Sequence, residues 1–405
     1  MSRVVYFRAG VRFDASPLDY FAQLLDRELL RDRLAESLFY LHSQPPLYNL
    51  LVGVALKLAP EHPAWVLWPV FMSAGLYAAL CLYVVALHLR VPVPVAALAT
   101  AAVAASPLYV IYENWCFYPS LNVAWIAGAG AWLARSQGRP GPALAIAAAH
   151  LGGLCLTRSL FHPLFFVLAA ALVVAFARVG TRRRVLACFA GPALLLCALC
   201  AKNLVLFDFF GTSSWASRNL WRAVTCVLGP ERVQAQRANL SPAVDLSAFE
   251  PGDRNISAFH LKHRHTGVPA LDRVAKRNRV AKRNPSTLPD NYDHWSIPAS
   301  AHFYAEDAMR LVRAYPREYL RGTLALSVPR FFDQMDQGFT DPNHNQLARA
   351  ADAFDHFEQE RRTHLVVAFG LLFAFGLLVA RGVPRSTRLL LAFSALVLSW
   401  VTLVG

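Results

Sequence analysis

Three polar side chains, far apart in the chain, have the chemistry of a group-transfer site. Asp14 lies in GVRFDASP, Glu113 in SPLYVIYENWCFYP and Arg158 in CLTRSLFHP. Asp14 and Glu113 are the candidate catalytic pair. One carboxylate can act as general base on an acceptor hydroxyl. The other can hold that base, or the two can share a hard divalent ion such as Mg or Mn. Arg158 can pair with a phosphate and stabilise it as it leaves. His42, at the head of HSQPPLY, stands beside Arg158 as a candidate donor-phosphate or substrate contact. Each also has a plainer reading: a turn residue, a loop carboxylate, a snorkelling arginine, a packing histidine. The candidates matter only if other elements carry them to one place.

Those elements are apolar. The chain has 405 residues, 56% hydrophobic and only 16% charged. Such a composition, with long apolar runs, points to an all-α polytopic membrane protein. The formal net charge of +14 falls mostly in short loops between apolar runs, which argues for membrane topology and against nucleic acid. Seven cysteines show no disulfide framework, and Cys197-x-x-Cys200 is two small apolar residues inside a helix.

Expected spans cover 64–88, 92–112, 117–134, 142–157, 160–178, 185–207, 364–380 and 387–405. With the chain before residue 64 outside, the inner loops collect Arg90, Arg135, Arg139, Arg178, Arg182, Arg183, Arg184, Arg381, Arg385 and Arg388. The short outer loops hold only Arg158, so the lysine and arginine bias is one-sided. On this topology Asp14, His42, Glu113 and Arg158 all face the outer side. An ionised group at the membrane edge avoids much of the cost of one at the bilayer centre.

The segment from Pro45 to about residue 59 is too short to cross and is expected to lie along the outer membrane face. SPLDYFAQLLDRELLRDRLAESLFYL has apolar residues at helical spacing and reads as a second amphipathic surface helix, capped by Ser16 with Pro17 at its first position. Residues 208–363 form a long polar insertion, with helical stretches expected at 300–325 and 345–363. A tandem hexapeptide, RVAKRN RVAKRN, runs from Arg273 to Asn284 and reads as a solvated loop. The expected organisation is therefore an outer loop over 1–63, a transmembrane catalytic core over 64–207, an extracytoplasmic domain over 208–363 and C-terminal transmembrane helices over 364–405.

An outer Asp, then His-x-x-Pro-Pro-Leu-Tyr, then SPL…YEN, then TRS…P, resembles the GT-C glycosyltransferases of the Rgt-type and dolichyl-phosphate-mannose-protein mannosyltransferase-like group. AKNLVLFDFFGTSSW, Ala201 to Trp215, is similar to that group's exit from the membrane. The resemblance covers roughly residues 10–225. It implies a GT-C-like transmembrane bundle with interfacial helices in the first outer loop and a mixed extracytoplasmic insertion. It implies an inverting enzyme of the plasma (inner) membrane, active on the extracytoplasmic side. That enzyme passes a sugar from a polyprenyl-phosphate donor to a glycan, lipid or protein acceptor of the cell envelope. Asp14 and Glu113 match the family's first- and second-loop acidic residues, Arg158 a donor-phosphate contact, and His42 to Pro46 the turn between two surface helices that frame the site. The family's first loop often reads Asp-Glu where this chain has Asp14-Ala15, so metal dependence stays open. Met1 lies thirteen residues before Asp14, and the chain stops inside an apolar run, so a truncated, inactive copy is one alternative. A non-enzymatic lipid-glycan transporter or assembly partner is another.

Overall fold

The computed structural model describes residues 2–21, 23–241, 256–257, 260–262, 264–274, 291–333 and 383–404. Among these the protein is helical with no strand. Within 208–363, expected to be mixed, the described elements are helices joined by turns and loops. The expected span 364–380, the expected helix 345–363 and most of the tandem hexapeptide lie outside the described residues.

The chain groups into two compact units that cut across the expected sequential segments. The first holds Met1–Pro17, Ala64–Leu196 and the described part of Arg330–Gly405; the second holds Leu18–Pro63 and Cys197–Pro329.

The first unit is a bundle of apolar helices: Ala64–His88, Val93–Ala105, Pro107–Glu113, Pro119–Ser136, Pro142–Thr157, Pro163–Phe176, the first part of Arg182–Phe207, and Arg385–Val404. Proline opens many of them, because its missing N–H costs nothing in a first turn. Small residues let the helices close up. A Cβ at Gly152 would come within 2.7 Å of Pro192 Cβ, and one at Gly153 within 3.0 Å of the Trp125 ring. Leu133, Leu144, Leu151, Phe165, Phe189 and Leu389 share the resulting core.

Outward faces are equally apolar. Ala64–His88 has a mean hydropathy of 2.1 with only 28% of its most apolar window buried, and Val179–Phe207 has 2.0 with 22%. Apolar helices with uncovered flanks mark a membrane-associated protein. By length and composition two described helices can cross a bilayer, and a bent pair makes a third.

That bent pair is a difference from expectation. The segment read as one span over 92–112 breaks into Val93–Ala105 and Pro107–Glu113, bent by 60°. Pro107 pushes Ser106 out of the helical region, to φ −64 and ψ 146, and Ser106 Oγ then caps the second helix at Tyr109 N. Pro142–Thr157 and Pro163–Phe176 have 16 and 14 residues, fewer than the roughly 20 a straight crossing needs.

The second unit begins with short helices. The single amphipathic helix expected from Ser16 onward is instead three pieces, Pro17–Tyr20, Arg27–Asp32 and Leu34–Tyr40. Two polar side chains enforce the first break. Asn49 Oδ1 accepts from Leu25 N at 2.9 Å, and Asp26 Oδ1 accepts from Glu28 N at 2.9 Å to start the next helix. Asp26 is buried and its other oxygen meets Arg273 Nη1 at 2.8 Å, so the first residue of the hexapeptide repeat serves as its counter-ion. Pro46–Leu58 has 13 residues, about 20 Å at the helical rise, shorter than the hydrocarbon core. The helices Ala216–Ala235 and Ser296–Ala314 pack on each other through Trp221, Val224, Leu228, Tyr304 and Leu311.

Candidate functional site

In the first unit the site grows from the turn that follows Pro107–Glu113. Asp14 lies in an extended stretch after the N-terminal helix Ser2–Arg8 and pairs with this turn through its backbone. Asp14 N donates to Asn114 O at 2.7 Å, and Cys116 N donates to Asp14 O at 2.9 Å. This bridge fixes Asp14 beside the residues that follow Glu113. Asp14 Oδ1 accepts from Ser16 N at 2.9 Å, whereas Oδ2 is buried with no hydrogen-bond partner. Buried polar atoms are normally paired, so an orphaned carboxylate oxygen calls for a donor that arrives with a ligand.

Arg158 reaches the same turn. It caps the end of Pro142–Thr157 and is half-buried. Its guanidinium carbon stands 5.1 Å from the centroid of the Tyr118 ring, and its charge acts on Tyr112 as well. The turn is walled by aromatics: Trp115 and Phe117 at 5.1 Å between centroids, Phe117 and Tyr118 at 3.9 Å, Phe13 and Phe71 at 5.6 Å. In the first turns of the next helix, Ser120 Oγ and Asn122 Oδ1 are also buried without a partner. Neither was singled out from the sequence. A run of orphaned polar atoms beginning just past an aromatic turn is visible only once burial is known.

Glu113 is nearby but differently engaged. It is 1% exposed and ion-paired with Arg3, Nε to Oε2 at 2.7 Å. Arg3 also donates to Ala104 O and lies 5.6 Å from the Tyr109 ring centroid. Gly75 leaves no room for a Cβ because the Glu113 carboxylate fills that space, and Tyr109 Oη donates to Gly75 O at 2.6 Å. Arg3 was not foreseen: its partner is 110 residues away, and no spacing rule links them.

As a divalent site this donor set has limited free capacity. Glu113 is already neutralised by Arg3, and Asp14 offers one open oxygen. Mg keeps several waters and is commonly bound through one or two carboxylates plus a substrate phosphate, so Asp14 is the carboxylate with an oxygen to offer such an ion here. Among the described residues no three His, Cys, Asp or Glu gather as a metal group.

His42, the other candidate phosphate or substrate contact, belongs to the second unit. It is 0% exposed. Nε2 lies 3.0 Å from Asp293 O, which can only accept, so Nε2 carries the proton. Nδ1 then accepts from Ser214 Oγ at 2.8 Å. Asp293 Oδ1 accepts from His42 N at 2.9 Å and Ser43 N at 3.1 Å, and Ser214 N donates to His42 O at 2.9 Å. The Phe207 ring closes the remaining side at 4.7 Å between centroids. Burial, reinforced by the Lys202 and His294 charges, holds the imidazole down to about 3, so it is neutral and offers no cation to a phosphate. Burial pushes Asp293 up to about 7, against the hydrogen bonds from His42, Ser43 and the Lys202 charge. The HSQPP and GTSSW motifs are thus two arms of one clasp, closed by Asp293.

Within the first unit the structure brings Asp14 and Arg158 to one aromatic turn and holds Glu113 just behind it; within the second it encloses His42. No protein-family model, no curated protein and no solved structure matches the chain.

Proposed function

We propose that the chain is an integral-membrane glycosyltransferase of GT-C type, working at the Asp14 turn on the extracytoplasmic side of the plasma membrane. It moves a sugar from a polyprenyl-phosphate donor to a hydroxyl acceptor. One observation carries the reading. Asp14 is locked by two backbone hydrogen bonds to a turn that also receives Arg158, yet its Oδ2 is left without a donor. A base held rigidly with one oxygen open suits an incoming hydroxyl. The apolar flanks of the bundle suit a donor with a long lipid tail.

In this mechanism the acceptor hydroxyl gives its proton to Asp14 Oδ2 as its oxygen bonds to the anomeric carbon. The bond from that carbon to the phosphate oxygen breaks, and the polyprenyl phosphate leaves with the electron pair. Attack opposite the leaving group inverts the anomeric centre. Arg158 meets the charge that grows on the phosphate. Glu113, neutralised by Arg3, is a positioning residue that anchors the end of the helix Pro107–Glu113. No step needs a metal ion.

The test is sugar transfer by the purified full chain in vesicles, with labelled polyprenyl-phosphate sugar and a hydroxyl acceptor. Wild-type protein is expected to release polyprenyl phosphate. Asp14→Asn should lower turnover by about 10³-fold, the range for loss of a general base. Intact donor crossing the vesicle without cleavage overturns the reading in favour of transport, and equal turnover by Asp14→Asn removes Asp14 as the base.

A further inference from the structure

At the arginine-rich loops of the same unit, a second polar feature plays no part in the transfer chemistry. A cavity of about 660 Å³ opens between the end of Pro119–Ser136, the end of Pro163–Phe176 and the start of Arg385–Val404. Arg139, Arg178 and Arg385 line it, each from a different segment, with Thr181 and Ser386 adding hydroxyls and Phe176 an apolar wall. Among the described residues that line it there is no carboxylate. Three arginines lining one cavity raise the local positive potential and favour an anion there.

We propose that this cavity binds a phosphate-bearing anion, supplied in the membrane by the headgroup of an acidic phospholipid. The local structure prepares the groups for it. Gln137 and Gly138 both take left-handed conformations, φ 52 and φ 69, which turn the chain sharply off the helix end and deliver Arg139 to the cavity. Arg385 is held in place because its Nη2 donates to Ala177 O at 3.0 Å, leaving its other donors for a ligand. One helical turn further on, Arg388 keeps a buried Nε with no partner. Guanidinium forks match phosphate oxygens two at a time. The volume falls in the range of small-ligand sites.

The lipid source is favoured by what surrounds the cavity. Val179, next to Arg178, is 78% exposed, and Leu186 is 53% exposed, so apolar surface for acyl chains adjoins the charged pocket. Basic pockets between membrane helices on the cytoplasmic side are a known physical solution for anionic headgroups. The site is separate from the Asp14 turn and its test does not need transfer activity.

The experiment uses the full chain in mild detergent, measured by native mass spectrometry and thermal melting. The probes are phosphatidylglycerol, phosphatidylcholine and inorganic phosphate. Phosphatidylglycerol should be retained and should raise the melting temperature, while phosphatidylcholine should do neither. Arg139→Gln with Arg178→Gln should weaken retention by about tenfold or more, the loss of one or two charge-assisted hydrogen bonds. These two side chains are exposed, so the double variant should melt like wild type without lipid. Adding Arg385→Gln should abolish retention. If inorganic phosphate protects and phosphatidylglycerol does not, the anion site stands and its ligand is a soluble phosphate. Equal retention of both lipids, untouched by the substitutions, overturns the proposal.

Discussion

The turn around Asp14 and the clasp around His42 are made of the same kinds of group and leave those two side chains in different states. Both tie a polar side chain to a distant loop through backbone hydrogen bonds. At the clasp, each ring nitrogen of His42 is used and the residue is sealed from solvent. At the turn, Asp14 spends its backbone and one carboxylate oxygen on structure and keeps the other open. The His42 ring is saturated and serves the fold, whereas Asp14 keeps a vacancy that can take part in chemistry; the clasp's own Asp293 Oδ2 is likewise buried without a partner. Glu113 stands between the two cases, buried like His42 but neutralised by a partly exposed arginine.

The comparison can be broken most forcefully at the clasp. His42→Ala leaves Ser214 Oγ and Asp293 O without their ring partner in a sealed space, and should cost about 3–5 kcal/mol of stability, the range for a broken buried network. Chemical unfolding of the purified chain checks this. A loss under about 1 kcal/mol would mean the clasp is open to water, as exposed pairs contribute that little.

Glu113→Gln should be intermediate, about 2 kcal/mol, because Arg3 keeps some solvent to compensate its charge. Gly75→Ala should cost a similar amount, about 1–3 kcal/mol, by driving a methyl group into the carboxylate. In thermal melts the two substitutions should be non-additive, since both act on one contact.

The clasp can also be probed through pH dependence. In the fold His42 is neutral, its pKa held down to about 3, and Asp293 keeps its proton up to about 7. The unfolded chain does the reverse between its ordinary values of 3.8 for Asp and 6.5 for His. Each state then holds one proton on the pair, so the pair adds little slope to stability across that window. Above about 7 Asp293 ionises in the fold as well, and the stability from its neutral form is lost. Asp293→Asn removes the compensating member. The unfolded state then binds one proton more than the fold, and stability should rise with pH from about 4 to 6.5, by up to about 1.4 kcal/mol per unit. A flat profile in this variant would show that His42 titrates alike in both states.

Much of the helical framework was legible in the sequence, because long apolar runs opened by proline leave few alternatives. The turn around Glu113 and the nearness of Arg158 to it also followed from the loop pattern. The break at Ser106–Pro107 was hidden by an apolar run that continues through it, although proline's effect on the preceding residue was there to read. The three-piece start of the second unit depended on Asn49 reaching back to Leu25, a contact across 24 residues. Arg3 with Glu113 and His42 with Asp293 join positions 110 and 251 residues apart, where no periodicity reports a partner. His42 illustrates the general case. Its residue type suggested chemistry, and its burial and its paired ring nitrogens became visible only in the fold.

The most direct test measures sugar transfer and melting side by side on Asp14→Asn and His42→Gln. Asp14→Asn should melt like wild type and lose turnover, whereas His42→Gln should melt well below wild type and, kept folded at low temperature, still turn over. If His42→Gln melts normally but fails in transfer while Asp14→Asn stays active, the roles assigned to the two sites are contradicted.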